Sequence, residues 1–368
     1  MKKTNFLTFA ICLILFSVNF FSCTKNSNQE NTLSFYAMNT FMTIRSFGKN
    51  SKEANLKVQQ RILQIENELS VTKETSDVWK INHSDGLPVI VSEETNFLLH
   101  FAVDLAQKTD GAFNPCLYPI TSAWGFTNEN YRVPSEDEIS QLLNYVDYNK
   151  IEFLKNQNTG ENQISLQKNM MIDFGAIGKG FACDESIKVL KENGIESAVL
   201  DLGGNVQVLG AKKDSKLGAV DWRIGIKNPN QDSQISSVAG LNLKDKAVVT
   251  SGGYERFFVD DDGKKYIHIF DSKTGKPVEN EILSITIIAD SSLWADALST
   301  TLFVMGKNKA IEFWKNFSAQ ENPENADLQI SDFDFVILTS DNSVFYSDGI
   351  KDNIFFIDDF ENKILVKR

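Results

Sequence analysis

Near Ile164 the chain changes its hydrophobic period, and that change divides it into two kinds of secondary structure. Before it, Val58, Ile62, Ile65 and Leu69 recur at spacings of four, three and four, which puts them on one face of a helix. Leu98, Phe101, Ala102 and Leu105 repeat the pattern ahead of Gly111. Ser135 followed by Glu138 forms a capping box before Ile139, Leu142, Leu143 and Val146, so a third helix starts there. After Ile164 the texture is β-branched and aromatic. Runs at 198–202, 222–226, 257–259, 266–270, 282–288, 333–338 and 344–346 are bounded by glycine or aspartate and predict strands. Asp260-Asp261-Asp262-Gly263 predicts a hairpin turn. Two helices interrupt the strands, at 177–193 and 293–305, closed by Gly194 and Gly306. The last dozen residues predict an edge element. The expected class is α+β (mixed α/β), a single unit with a helix-rich N-terminal half and a strand-rich C-terminal half.

No internal repeat or low-complexity linker divides the chain after residue 33. At 368 residues and 42% hydrophobic content it can build a sizeable core. Its 37 basic against 49 acidic residues give a net charge of −12 with no basic run, which argues against nucleic acid as a partner. Four cysteines without C-x-x-C spacing and three histidines exclude a zinc cluster, so a metal here is expected to be hard and oxygen-bound. Residues 1–22 begin Met1-Lys2-Lys3 and continue as an apolar run from Phe6 to Phe21, too short for a membrane-spanning helix and ending on Ser22 before Cys23. This pattern predicts a signal peptide, and it resembles the lipobox in which the cysteine becomes an acylated first residue. Residues 23–33 then form a flexible polar tether from lipidated Cys23, and the folded domain spans 34–368. Cys116 and Cys183 remain as thiols, expected to be buried.

Three segments carry chemistry. Asp173-Phe174-Gly175-Ala176-Ile177-Gly178-Lys179-Gly180 places three glycines around a lysine at the mouth of a helix. There the backbone can approach an anion closely and the helix dipole favours a phosphate. It is not a Walker A loop, and a tight strand-to-helix turn with a surface lysine would read the same. Asp296 and Thr300, four apart, put a carboxylate and a hydroxyl on one side of a helix, a set suited to Mg²⁺ that keeps places for phosphate oxygens. A threonine bonding back into its own helix is the plainer account. His268, at a strand end between Arg256 and the glycine-bearing turn at Gly275, is a candidate proton carrier or a structural histidine. His83 and His100 have no such setting.

In this order the segments resemble the FAD:protein FMN transferases, the ApbE-type flavin transferase lipoproteins. The resemblance runs over about residues 35–349. It covers Met38-Asn39-Thr40-Phe41-Met42, Gly111-Ala112-Phe113-Asn114-Pro115, Trp124-Gly125-Phe126, the Asp173 to Gly180 loop and Leu202-Gly203-Gly204-Asn205. It continues in Ser251-Gly252-Gly253-Tyr254-Glu255-Arg256, in 268–277, and in Ala295-Asp296-Ala297-Leu298-Ser299-Thr300. It implies an Mg²⁺-dependent enzyme that moves FMN from FAD to a threonine of an acceptor flavoprotein and releases AMP. The ligand set it implies is Ala176 (by its carbonyl), Asp296 and Thr300 for the metal. For FAD it implies Met38, Ala112, Phe113, Asn114, Asp173, Lys179, His268 and Ile269. Lys179 is expected to neutralise phosphate charge, and His268 or Asp296 to accept the threonine proton. Asn114, Cys116, Gly253 and Ser272 depart from the family's usual aspartate, threonine, aspartate and proline. The family's habit implies a lipid-anchored protein on the inner membrane of a bacterial cell, facing the periplasm. An Mg²⁺-dependent FAD pyrophosphatase would use the same site, and a non-catalytic FAD-binding lipoprotein is the reading outside enzymes.

Overall fold

The structure is a computed structural model that describes residues 29–214, 217–230, 232–317, 332–357 and 359–368. The predicted signal peptide and Cys23 lie outside the described residues. Among the described residues there are eight helices: α1 Ser51–Leu69, α2 Asp77–Asn82, α3 Glu93–Lys108, α4 Tyr118–Ala123, α5 Glu136–Leu143, α6 Gly178–Glu192, α7 Ser292–Met305 and α8 Lys307–Asn316. None of the described helices is long and apolar enough to cross a membrane.

Nine strands build the main sheet: β1 Glu30–Ala37, β2 Thr40–Phe47, β3 Ser197–Leu202, β4 Asn205–Leu209, β5 Ala247–Gly252, β6 Ile282–Ala289, β7 Phe333–Thr339, β8 Ser343–Ser347 and β9 Asn362–Val366. They lie side by side in chain order, each antiparallel to the last except β9, which runs parallel to β8 at the edge. The central strands are apolar on both sides because both are covered. Val249, Ile285, Ile287, Phe335 and Ile337 enter the core shared with α1, α3, α6 and α7. Val248, Ile288, Val336 and Leu338 alternate with them and meet a small sheet of Trp222–Lys227, Ser237–Leu243 and Ile354–Phe356 on the other face.

The helix periodicities are met: Val58, Ile62, Ile65 and Leu69 of α1, and Leu98, Phe101, Ala102 and Leu105 of α3, are all buried. The Ser135 hydroxyl accepts from the Glu138 N–H at 3.2 Å and opens α5 as its sequence predicts. From Ser292 to Phe303 only Thr300 of α7 escapes burial, as suits a helix wedged between α6 and strands β5 and β6. A satellite core of Ile120, Trp124, Phe126, Ile139 and Phe270 sits beside the main one.

Three expectations need correcting. The sheet begins at Glu30, so the last residues of the predicted tether are part of β1, and the helix-rich half opens on a hairpin. Its polar residues escaped notice because β1 is an edge strand whose Glu30, Thr32, Ser34 and Tyr36 face solvent, while its order comes from backbone pairing with β2. The expected strand at 266–270 is broken at His268. Lys265–Ile267 pairs with Phe257–Val259, whereas Phe270–Asp271 pairs with Lys276–Pro277, and the chain bends between the two partners. Finally, α5 stops at Leu143; Val146 lies beyond it, packed on the satellite core.

Candidate active site

The glycine-bearing loop is held at its start by the Asp173 N–H, which donates to the Pro115 carbonyl at 3.0 Å and so joins it to the 111–115 segment. The Asp173 carboxylate accepts from the Gly175 N–H at 2.8 Å. Burial pushes the Asp173 carboxyl above the ordinary range, opposed by that N–H. Helix α6 then begins without a side-chain cap at Ile177. Its Gly178 N–H donates to the Phe174 carbonyl at 2.7 Å, but the Gly180 N–H turns to Asp296 Oδ2 at 2.9 Å. Gly180 is the third residue of α6, so its N–H has no acceptor within the helix and Asp296 supplies one. The Ala176 carbonyl, ahead of the N-cap, accepts from no main-chain N–H among the described residues.

Asp296 is only 5% exposed. Burial drives its carboxyl upward, against the Lys179 charge, the Gly180 N–H and the Asn205 amide, all of which favour the ionised form. Asn205 Nδ2 is itself buried and falls short of hydrogen-bond geometry with any partner. One turn on, Thr300 Oγ1 is 3.4 Å from Ser251 Oγ, which bonds Ser299 Oγ at 2.8 Å. A buried carboxylate, a hydroxyl one turn on and the main-chain carbonyl ahead of α6 are donors of the kind a hard divalent cation takes. Among the described residues no cluster of three His, Cys, Asp or Glu offers a rival.

His268 Nδ1 lies 3.0 Å from the Arg256 carbonyl, which can only accept, so Nδ1 carries the proton and Nε2 the lone pair. Desolvation lowers His268 to about 4, and the charges of Arg256 and Lys179 add to the effect. The ring is half-buried, the combination expected of a group in a cleft. Lys179 thus acts on His268 and Asp296 alike and ties the two halves of the site together. Met38, at a positive φ of 49° in the β1–β2 turn, is anchored by its N–H to Glu66 Oε1 at 2.8 Å and lies against Gly178.

Several expected ligand residues have side chains engaged elsewhere. The Phe113 ring and the Ile269 side chain are buried in the main core. Asn114 Oδ1 accepts from the Cys116 N–H at 2.9 Å, committing that side chain to its own loop. Ala112, with Asp271 and Lys273, lines a cavity of about 600 Å³ at the ends of α3, α7 and α8. Cys116 and Cys183 are free, buried thiols. His83 stacks on Trp79 and His100 on Phe153.

The model of the ApbE family matches residues 38–322. This chain belongs to the ApbE family. Relatives called FAD:protein FMN transferase include one from Treponema pallidum, 34% identical over 256 residues (68% of this chain, 70% of the relative), and one from Klebsiella pneumoniae, 34% identical over 254 residues (69% and 76%). The crystal structure of the ApbE protein from Thermotoga maritima superposes with a TM-score of 0.75 at 32% identity, covering 88% of this chain and 98% of that one. The same ApbE motifs leave Asp184, Glu66 and Asn205 without a predicted role. Asp184 and Glu66 each sit in a helical run among other charged residues, and nothing in their spacing separates them from a solvated face.

Proposed function

We propose that this protein transfers FMN from FAD to a threonine of an acceptor protein, in an Mg²⁺-dependent reaction that releases AMP. Its relatives' shared name supports the transfer. The observation that carries the metal and phosphate chemistry is the bond of the Gly180 N–H to Asp296, which sets a buried carboxylate against the uncapped first turn of α6 next to Lys179. Asp296, Thr300 and the Ala176 carbonyl would hold Mg²⁺. Bound there, it would supply the positive charge that stabilises a breaking pyrophosphate.

The chain's own groups account for the rest. Lys179 and the uncapped start of α6 take phosphate charge. The 38, 112–114 and 268–269 segments orient the dinucleotide. The acceptor hydroxyl oxygen bonds to the FMN phosphorus as the bond to the AMP oxygen breaks, and the proton passes to His268 Nε2. His268 is preferred to Asp296 as the base, because the Asp296 carboxylate is already bonded to Gly180 and assigned to the cation. The pattern at Cys23 supports a lipid anchor, and the family's habit supports a position on the bacterial inner membrane facing the periplasm.

The test is incubation with FAD, Mg²⁺ and candidate acceptor domains, read as in-gel flavin fluorescence together with AMP release. The expected result is a fluorescent covalent band, lost with chelator and lost in Asp296→Ala. AMP without a labelled acceptor would instead make the protein an FAD pyrophosphatase, and an Asp296→Ala variant turning over at the wild-type rate would refute the metal assignment.

A further inference from the structure

We propose that Asp184, which touches neither the metal donors nor any segment assigned to FAD, is a positioning residue that sets the cation affinity of the site. The proposal rests on the reading of Asp296 as a metal ligand. Asp184 lies on α6 one turn beyond Gly180, and its carboxylate is filled by four donors. Oδ1 accepts from the Ser292 N–H at 2.8 Å and from Gln207 Nε2 at 2.9 Å. Oδ2 accepts from Ser291 Oγ at 2.7 Å and from the Leu293 N–H at 3.0 Å. Two of these are main-chain N–H groups of the first turn of α7, and the third is the hydroxyl of its N-cap Ser291, which also accepts from Trp294 N–H at 3.3 Å. A side chain of one helix therefore caps the start of the next.

The consequence follows from where Asp296 sits. It is one turn into α7, and its Oδ2 meets the Gly180 N–H one turn before Asp184 on α6. The two helices are therefore pinned twice, once by each aspartate, with the pins a helical turn apart on both. Gly180 leaves no slack between them, since a Cβ there would lie 2.4 Å from the Ser292 carbonyl oxygen and 2.7 Å from Asp296 Cβ. With the Asp184 pin removed, the first turn of α7 can rotate about the remaining bond and carry the Asp296 and Thr300 oxygens off their shared side. Groups that orient a metal ligand from behind are commonly worth 10- to 100-fold in metal affinity.

The experiment measures Mn²⁺ binding to the full chain by electron paramagnetic resonance, with no turnover required, in wild type, Asp296→Ala, Asp184→Asn and Ser291→Ala. Each variant's thermal midpoint is recorded alongside. Asp184→Asn is expected to weaken Mn²⁺ about 10- to 100-fold, with Mg²⁺-saturated turnover substantially recovered. Ser291→Ala, which changes no charge, is expected to weaken it in the same direction by a smaller factor, so that loss of the Asp184 charge is not the explanation. If Asp296→Ala binds Mn²⁺ like wild type, the metal reading itself fails. If Asp296→Ala loses binding while Asp184→Asn and Ser291→Ala keep wild-type affinity and show only lower midpoints, Asp184 is merely structural and the proposal is overturned. Should Asp184→Asn not fold, Ser291→Ala decides the matter alone.

Discussion

His268 shows how a single backbone contact chooses a side chain's chemistry. A carbonyl at Nδ1 forces the tautomer, and desolvation with two nearby cations holds the ring neutral down to about pH 4. As the base of the proposed transfer it is therefore already in its active form throughout the physiological range. The acid limb of kcat/KM, which reports the free enzyme, is expected to show no inflection between pH 7 and 5.5, and a break near the ordinary histidine value would remove His268 from that role. Folding stability carries the same signature. Between about 6.5 and 4 the unfolded ring is protonated while the folded one is not, so this contribution is intact above 6.5 and is lost as the pH falls toward 4. Denaturant midpoints for His268→Gln should accordingly decline less over that window than those of wild type.

At the level of elements, the crossing of α6 and α7 decides the geometry of the proposed metal donors. Gly180 is required there because the atoms a Cβ would meet are the Ser292 carbonyl oxygen, Leu293 Cα and Asp296 Cβ, none of them the free end of a flexible side chain. Gly180→Ala is expected to cost about 1–3 kcal/mol by overpacking, seen as a lower denaturant midpoint at unchanged m, and to weaken cation binding by spreading the helices. A variant as stable as wild type would mean that the crossing is softer than described. Both helices are legible in the sequence from their apolar spacing and closing glycines, and the glycine loop and the Asp296–Thr300 pair are legible as chemistry. Their meeting is not, because nothing local in either segment encodes which N–H of one will find which oxygen of the other. Asp184 was hidden for that reason: within α6 alone it is another charged residue. The β1–β2 hairpin was hidden for a different one, since an edge strand half in solvent draws its order from backbone pairing and carries no apolar run to betray it.

Across the whole molecule the proposed site spans two bodies of unequal strength. Asp296, Thr300 and the start of α6 rest on the main core, where the central strands are covered on both faces. The segment bearing His268 packs Phe258, Tyr266 and Phe270 on the satellite core of five buried residues and only Ile267 and Ile269 on the main one. Trp124 joins the two sides of that small core, its indole N–H donating to the Gly275 carbonyl at 3.0 Å and its ring meeting Phe258, Tyr266 and Phe270. Arg256, whose carbonyl orients His268, is tied to the same unit by a 2.7 Å bond to the Phe126 carbonyl. Loss of the indole should therefore loosen one wall of the cleft before it threatens the sheet, because local opening follows local contact density. In Trp124→Ala, hydrogen exchange is expected to accelerate across residues 254–277 while the amides of β5, β6 and β7 keep wild-type protection. FAD binding should weaken more than Mn²⁺ binding, since the proposed metal donors stand on the main core. Uniform acceleration throughout the sheet would show instead that the two cores unfold as one and that the cleft has no separately yielding wall.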